Sequence, residues 1–381
     1  MRSLVKLGTI IQQIRGVSYK PADIRSAGDP NAIALLRANN IQDDGLNFDD
    51  LVFVDKKKVS QEQIIRKGDI VICASSGSKN LVGKAAVADT NLPYTFGAFC
   101  KVVRVVSMNP AFVGQYFCSP RYRREISAAS AGANINNIRN EHIDDMDFPV
   151  YTETKQSEIA HQLLHIDAII QKKREQISLI EQLVKSRFIE MFGDPVGNDK
   201  GWLHQAMDKV APSSAYSGVN SEKVWLLNLD MVEAQTGRII EYLYVDKEQV
   251  GNSTCGFDEG NVLYSKLRPY LNKVVVPNQN GYCTTELVPL RPNEKLNRQF
   301  LAHLLRSDAF VSFINEKVAG AKMPRVSMNV FREFECILPP MELQNQFSAF
   351  VEQTDKSKFE IQKSLEKLEI LKKSLMQQYF G

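Results

Sequence analysis

The chain contains an internal repeat with a period of about 190 residues, and this repeat limits the possible folds more than any single motif. Several short segments recur in the same order, with small changes in spacing that loop insertions and deletions explain. The recurring segments are Gly68–Val71 with Gly260–Leu263, Ala131–Ala133 with Ala319–Ala321, and Lys185–Gly193 with Lys373–Gly381. We therefore expect two related halves rather than one continuous domain.

Each half combines a globular part with a long helical segment. Runs of β-branched residues at 70–72 and 101–106 predict short strands, and the pattern of residues 299–305 predicts a helix. These elements do not alternate regularly, so we predict an α+β fold with two homologous mixed globules. The predicted boundaries are 1–151 and 194–338 for the globules, and 152–193 and 339–381 for the helices.

Apolar residues recur at alternating steps of four and three in both helical segments. No glycine or proline interrupts residues 157–192 or 343–380, and heptad spacing of this length favours a coiled coil. Two separate surface helices are the alternative, which the matched length and phase of the two stripes disfavour. The predicted core residues are Ile159, Leu163, Ile166, Ile170, Ile177, Ile180, Val351, Ile361, Leu365, Leu368 and Leu375.

Charge is distributed asymmetrically within each globule, although the net charge of the whole chain is only +3. Residues 66–124 hold nine basic and two acidic residues, after a stretch at 22–65 with five basic and eight acidic. Residues 261–332 hold eleven basic and four acidic residues, after a stretch at 200–260 with five and nine. This repeated polarity predicts a basic surface on each globule that attracts the phosphates of a nucleic acid.

Polar loops within the basic stretches supply candidate DNA contacts. In the second half, we expect Lys266 and Lys273 to meet phosphates and Arg268 to make a bidentate contact to guanine. A further loop in each half begins with Ala-Gly-Ala, which allows close approach of the backbone. The predicted DNA-binding residues are Ser75, Ser76, Lys79, Asn80, Lys84, Asn134 and Asn136 in the first half, and Lys266, Arg268, Tyr270, Lys273, Lys322 and Arg325 in the second.

No segment carries a complete enzyme signature. Residues 77–84 resemble a phosphate-binding loop, but the two glycines are one residue too far apart and Ala85 replaces the magnesium-binding hydroxyl residue. Asn109–Phe112 resembles the motif with which adenine methyltransferases hold a base, but the equivalent Asn297–Phe300 has no proline. We interpret both asparagines as helix N-caps. The histidines and cysteines show no metal-ligand spacing, so we predict no catalytic residue and no metal site.

Composition gives no sign of a membrane span or a secretion signal. The chain has no apolar run of about 18 residues, and its first residues lack an apolar stretch followed by a cleavage site. The six cysteines, at positions 73, 100, 118, 255, 283 and 336, are scattered. We expect buried, reduced thiols in a cytoplasmic protein.

The duplicated layout resembles the specificity subunits of type I restriction-modification systems over essentially the whole chain. The helix ends carry the most specific similarity: Leu338–Gln344 is similar to the entry into the family's conserved helical region, and Met191–Pro195 to the exit into its second recognition domain. The resemblance implies that each globule is a target-recognition domain and that the two helices pair antiparallel as a spacer. Helices of about 35 residues span roughly 50 Å, so the expected target has two half-sites with a non-specific gap of roughly 5 to 8 base pairs.

The resemblance also implies partners and cofactors. The expected partners are double-stranded DNA, two modification subunits that methylate adenine N6, and two restriction subunits with motor and nuclease activity. S-adenosylmethionine, ATP and magnesium are expected on those subunits, and none on this chain. The alternatives are a coiled-coil adaptor without DNA sequence readout and a stand-alone DNA methyltransferase.

Overall fold

The computed structural model describes two compact units. The described residues are 3–78, 80–130, 137–219, 221–318 and 324–381. The first unit comprises Met1–Arg174 with Lys363–Gly381, and the second unit comprises Glu175–Gln362. Each unit therefore contains one of the predicted globules together with part of each predicted helical segment.

Short strands build the first unit. They are β1 (Leu4–Lys6), β2 (Ile11–Arg15), β3 (Ala32–Leu36), β4 (Ile41–Gln42), β5 (Gly45–Leu46), β6 (Val52–Asp55), β7 (Ile70–Cys73), β8 (Ala85–Val87), β9 (Tyr94–Phe96), β10 (Cys100–Val105) and β11 (Asp147–Pro149). One antiparallel sheet has the strand order β2-β10-β7-β8, and a second sheet, β6-β3-β9, joins an antiparallel pair to a parallel one. β1 pairs with β11, and β4 pairs with β5.

Helices follow the sheets of the first unit along the chain. They are α1 (Pro110–Phe117), α2 (Pro120–Ser130), α3 (Glu141–Asp144) and the 40-residue α4 (Glu153–Phe192). The part of α4 up to Arg174 belongs to the first unit, and the remainder belongs to the second. The length of α4 agrees with a segment in which no glycine or proline breaks the backbone hydrogen bonds.

The second unit repeats this order of elements. Its strands are β12 (His204–Ala206), β13 (Lys223–Leu227), β14 (Leu243–Asp246), β15 (Thr254–Phe257), β16 (Val262–Ser265), β17 (Val274–Val275), β18 (Gly281–Thr284), β19 (Leu287–Leu290) and β20 (Glu335–Ile337). Its helices are α5 (Met207–Val210), α6 (Arg298–Arg306), α7 (Asp308–Lys317), α8 (Met328–Glu333) and α9 (Met341–Phe380), whose last part, from Lys363, belongs to the first unit.

Strand pairing shows that the repeat in the sequence is a repeat in structure. In the first unit β7 lies between β8 and β10, and in the second unit β16 lies between β17 and β19. In the same way, β3 pairs antiparallel with β6 and parallel with β9, as β13 does with β14 and β18. The mixed α/β architecture expected from the sequence is therefore present in both units.

Asparagine caps open the equivalent helices α1 and α6, as the sequence predicted. The Asn109 side chain accepts hydrogen bonds from the N–H groups of Ala111 and Phe112 at 2.9 and 3.3 Å. The Asn297 side chain accepts them from Gln299 and Phe300 at 2.8 and 3.4 Å. Because these side chains satisfy helix N–H groups, the prediction that both asparagines are N-caps is confirmed.

Aromatic clusters fix the long helices to each unit. In the first unit Phe380 of α9 is fully buried, with its ring 5.3 Å from that of Phe112. In the second unit Phe192 of α4 is also fully buried, with its ring 4.7 Å from that of Phe300. Burial of each aromatic ring removes a large apolar area from water and stabilises the docked helix.

Within each unit, the segments of α4 and α9 contact one another in antiparallel order. In the first unit Arg174 donates to Glu369 at 2.9 Å, and Tyr379 donates to Gln162 at 2.9 Å. In the second unit Glu181 pairs with Lys358. Of the predicted core residues, those buried are Ile159, Leu163, Ile166, Ile170, Val351 and Leu365, and those half-buried are Ile177, Ile180, Ile361, Leu368 and Leu375.

The cysteines are all free thiols, but their burial is not uniform. Four are buried, as expected, whereas Cys118 is exposed and Cys255 is half-buried. The expectation of six buried thiols was therefore wrong at these two positions, because scattered spacing carries no information about which side of an element a residue occupies. Among the described residues, no helix is both long and apolar enough to cross a membrane.

Candidate nucleic-acid interface

Two loops meet beside β16 in the second unit, and both carry residues predicted to bind DNA. Arg268 in the loop between β16 and β17 donates its N–H to the carbonyl of Pro324 at 2.8 Å. Val326 donates its N–H to the carbonyl of Lys266 at 2.8 Å. The structure thus brings Arg325 to the same surface as Lys266 and Arg268, although Arg325 is more than fifty positions from both in sequence. Lys322 lies outside the described residues.

The first unit joins its equivalent loops in the same way. Ile138 donates its N–H to the carbonyl of Ala74 at 2.8 Å, and a bridge links Ser75 to Asn137. The bridge between Leu267 and Arg325 occupies the same place in the second unit. Of the predicted contacts in this region, Lys79, Asn134 and Asn136 lie outside the described residues.

Arg268 has an unusual backbone conformation at the exposed surface of the second unit. Its φ is 50°, in the left-handed region, which is costly for a residue with a side chain and is disfavoured further by the proline that follows. Its N–H is bonded to Pro324, and its carbonyl accepts the N–H of Leu271 at 2.9 Å. Backbone strain that the surroundings hold in place is typical of functional loops.

The other predicted residues of this loop have mixed surroundings. Tyr270 is 46% exposed, and its carbonyl accepts a hydrogen bond from Gln235 at 2.9 Å. The ammonium of Lys273 donates to the carbonyl of Leu229 at 2.8 Å, and burial lowers its pKa. Arg325 forms an ion pair with Glu286. The side chains of Lys273 and Arg325 thus already have partners within the unit, whereas those of Lys266 and Arg268 form no hydrogen bond or ion pair with a described residue.

The predicted residues of the first unit lie in the connection between β7 and β8. Ser75 and Ser76 are half-buried, and Asn80 is exposed. The guanidinium of Arg123 donates to the carbonyls of Asn80 and Val82 at 3.1 and 2.9 Å, which holds this connection in place. This role of Arg123 could not be predicted, because the sequence does not show whether a basic residue donates to carbonyls of its own chain or remains free.

The side chain of Lys84 is largely buried, although its ion-pair partner Asp43 is exposed. Its ammonium lies 3.4 Å from the carboxylate of Asp43, and its side chain is 16% exposed. Both residues line a cavity of about 1080 Å³ that also contains Asp167 and Lys372. The carbonyl of Lys84 accepts the N–H of Cys73 at 2.9 Å, two residues before Ser75, while its ammonium pairs with Asp43.

Glu286 and Gln235 are two further residues at this surface that sequence analysis missed. Glu286 holds Arg325 through its side chain and accepts the N–H of Lys266 at 3.0 Å through its carbonyl. Gln235 donates its side-chain N–H to the carbonyl of Tyr270 and its backbone N–H to the carbonyl of Leu271, both at 2.9 Å, and so fixes the loop. Both residues lie outside the loop in sequence, so no local pattern predicted that they would contact it. Among the described residues, no group of three His, Cys, Asp or Glu side chains is arranged to hold a metal ion.

Comparison with protein families gives the class to which this arrangement belongs. Residues 231–372 match the family model of the type I restriction modification DNA specificity domain. This segment begins before β14 and includes the paired loops at Arg268 and Arg325. This part of the second unit is therefore similar to a type I DNA specificity domain.

Individual relatives define the family more closely. The chain is 37% identical over 180 residues to the type I restriction enzyme StySPI specificity subunit of Salmonella potsdam, covering 47% of this chain and 39% of that one. It is 37% identical over 183 residues to the EcoKI specificity subunit of Escherichia coli K12, covering 48% and 39%. Over about half of its length the chain is therefore similar to specificity subunits of type I restriction-modification systems. The matched region spans well under half the length of these relatives.

Solved structures agree with the fold over the full chain. The S subunit of a type I restriction-modification system from M. genitalium aligns with a TM-score of 0.61 at 14% identity, covering 100% of this chain and 96% of that one. A structure described for complex assembly and conformational transition of the type I R-M system aligns with a TM-score of 0.53 at 14% identity, covering 99% and 97%. At this identity the likeness concerns the fold alone.

Proposed function

We propose that this chain reads a bipartite DNA target, with one half-site bound by each unit. The observation that carries the proposal is the pairing of loops: the same backbone hydrogen bonds join equivalent loops in both units, while the side chains differ. Ser75 and Asn137 stand in the first unit where Leu267 and Arg325 stand in the second. A shared backbone with different side chains suits the reading of two different sequences.

The chemistry in this proposal belongs to partner subunits. Two modification subunits methylate adenine N6 with S-adenosylmethionine, and two restriction subunits cleave DNA with ATP and magnesium. The chain directs both reactions by choosing the site, in the cytoplasm where the DNA is found. The relatives are named as specificity subunits, which supports a role in recognition rather than catalysis.

The long helices act as the spacer in this proposal. α4 and α9 have 40 residues each, and each residue adds 1.5 Å to a helix. The antiparallel contacts within each unit support a paired arrangement. A spacer of this kind sets the distance between half-sites, and we propose a non-specific gap of roughly 5 to 8 base pairs.

Methylation mapping tests the proposed target. The chain is expressed with its modification subunits in a strain free of adenine methylation, and modified adenines are located by sequencing the genomic DNA. We expect one interrupted motif with two short half-sites, and no methylation by the purified chain alone. Methylation without the partner subunits would establish the stand-alone methyltransferase, and methylation without sequence preference would establish the adaptor.

A matched deletion tests the spacer. Residues 171–177 and 364–370 surround the contact between Arg174 and Glu369, so removing both segments shortens the two helices by the same two turns. The deletion removes about 10 Å, and we expect the mapped gap to shorten by about three base pairs. An unchanged gap in an assembled, active complex contradicts the spacer role.

A further inference from the structure

An exposed phenylalanine stands beside the paired loops of the first unit. Phe99 lies in the turn between β9 and β10, where Cys100 donates its N–H to the carbonyl of Gly97 at 2.8 Å. Its side chain is 70% exposed. The carbonyl of Phe99 accepts the N–H groups of Ala74 and Ser75 at 2.8 and 3.0 Å. The backbone that carries the ring is thus bonded directly to the loop that we propose to read DNA.

The second unit has a different residue in the same place. Cys100 pairs with Cys73 in the antiparallel sheet of the first unit, and Leu287 pairs with Ser265 in that of the second. Leu287 is therefore the equivalent of Cys100. The residue before Leu287 is Glu286, and its carbonyl accepts the N–H of Lys266 just as that of Phe99 accepts the N–H of Ala74. The equivalent position therefore presents an exposed phenyl ring in one unit and a carboxylate in the other.

The two side chains have opposite surroundings. Glu286 is 25% exposed and forms an ion pair with Arg325 within its unit. Phe99 forms no ring contact with any described residue, and the loop that is bonded to its carbonyl continues with the small polar residues Ser75 and Ser76. Transfer of an exposed phenyl ring from water into contact with another apolar group is favourable.

DNA offers one apolar group at the edge of a base pair in the major groove, the 5-methyl group of thymine. We propose that Phe99 contacts a thymine methyl group in the half-site read by the first unit. The inference rests on the proposed function, and it names a chemical feature of the target. The second unit, with Glu286 at this position, makes no such contact there.

Replacement of thymine by deoxyuridine tests the contact, because it removes the methyl group and leaves base pairing unchanged. The target is first mapped as described above. The wild-type complex with its modification subunits is then bound to duplexes in which each thymine of both half-sites is replaced in turn. We expect one position, in one half-site, at which binding weakens about fourfold, the effect of losing one buried methyl group.

Variants link this position to Phe99. Phe99→Ala should bind the intact target about tenfold more weakly, and its binding should change less than twofold on uracil replacement at the sensitive position. Phe99→Leu keeps an apolar side chain and should keep part of the uracil effect. Phe359→Ala is the matched control, since Phe359 of α9 is also exposed, at 64%. This control should retain the full fourfold effect.

The outcomes separate this inference from the proposed function. If the wild-type complex does not prefer the mapped duplex to a scrambled one, the proposed function fails. If it does prefer the mapped duplex, three results overturn the proposed role of Phe99 and leave the proposed function standing. These are half-sites without thymine on either strand, a flat uracil scan, and a fourfold uracil effect that persists in Phe99→Ala.

Discussion

A buried glutamine ties the start of each long helix to its globule, and the two units do this in the same way. Gln156 accepts the N–H of Asn109 at 2.9 Å, and Gln344 accepts the N–H of Asn297 at 2.9 Å. Each glutamine also donates to the carbonyl that lies five positions before it, at 2.8 Å. The duplicated halves have thus kept their internal hydrogen bonds, which satisfy buried polar groups.

Away from these bonds, equivalent positions differ. In the first unit Asp167 accepts a hydrogen bond from Gln115 at 3.2 Å and pairs with Lys372. In the second unit the equivalent residues are Asp355 and His303, and no described residue forms an ion pair or hydrogen bond with Asp355 through its side chain. Burial raises the pKa of Asp355. The comparison shows that the halves share their supporting bonds while their loops and their helix-facing side chains have diverged.

Loss of the equivalent aromatic anchors should have the largest effect. Phe192→Ala and Phe380→Ala each leave a cavity in a fully buried cluster, and we expect each to lower the free energy of unfolding by about 4 kcal/mol. Urea unfolding measures the loss, with Phe359→Ala as an exposed control that should cost less than about 1 kcal/mol. A large loss of unfolding free energy in only one of the two variants would show that the two aromatic anchors are not energetically equivalent.

Replacing Arg268, whose backbone is strained, should reduce base preference in one half-site and leave the other unchanged. Arg268→Ala is expected to lower the preference for the correct base by about tenfold or more at one position of one half-site, because a bidentate contact carries about 1–3 kcal/mol of discrimination. Methylation rates on targets changed at each position measure this preference. Lys209→Ala, an exposed cation of α5, should leave it unchanged. Equal relaxation in both half-sites refutes the assignment of one half-site to each unit.

The elements that local sequence determines were predictable. The repeat, the uninterrupted helices and the two asparagine caps follow from spacing and residue type, and the structure agrees. The roles of individual cations did not follow. Lys84 and Lys273 lie in basic stretches, yet one pairs with Asp43 and the other with a backbone carbonyl. Such partners come from distant segments, so charge counts overestimate the positive charge that is free to meet DNA.

The basic stretch of the first half shows the same limit. Arg104 forms two hydrogen bonds with the buried Asp69, at 2.8 and 2.7 Å, and Lys101 is 8% exposed. These cations hold strands together and contribute little to a surface field. Phe99 escaped prediction for the converse reason: nothing local distinguishes an exposed phenylalanine from a buried one in an apolar stretch.

Acid should weaken the second unit through His303. Burial, and next the charge of Arg306, lower the pKa of His303 to about 3 from 6.5. Below pH 6.5 His303 binds a proton in the unfolded chain but not in the folded unit. The free energy of unfolding therefore falls as pH drops from 6.5 towards 3, by at most roughly 1.4 kcal/mol per pH unit. His303→Gln introduces the residue found at the equivalent Gln115 and should remove this dependence.

Tryptophan fluorescence makes this measurement selective. Both tryptophans, Trp202 and Trp225, belong to the second unit, so urea unfolding followed by their emission reports on that unit. Midpoints at pH 7 and pH 5.5 are compared for the wild type, His303→Gln and His161→Gln, whose imidazole is exposed on α4. The control should keep the wild-type difference. If His303→Gln also keeps it, the acid sensitivity has another origin.

Two lysines of the same loop should differ in their effect on salt dependence. The ammonium of Lys266 forms no hydrogen bond or ion pair with a described residue, whereas that of Lys273 donates to the carbonyl of Leu229. Lys266→Ala should therefore reduce the slope of log affinity against log salt by about 1, the value for one phosphate contact. Lys273→Ala should leave the slope unchanged. Binding titrations between 50 and 200 mM salt measure it, and equal slopes for both variants contradict the distinction between free and bonded cations.

The smallest expected difference concerns equivalent glutamates on the paired helices. Glu369 forms an exposed pair with Arg174, both side chains being 45% exposed, whereas Glu181 pairs with Lys358 at 38% and 23%. Exposed pairs contribute about 0–1 kcal/mol, and less in salt. We expect Glu369→Gln to cost under about 0.5 kcal/mol and Glu181→Gln somewhat more, because the less exposed pair is screened less. Urea unfolding at low and high salt measures both, and the reverse order would show that burial does not rank these pairs.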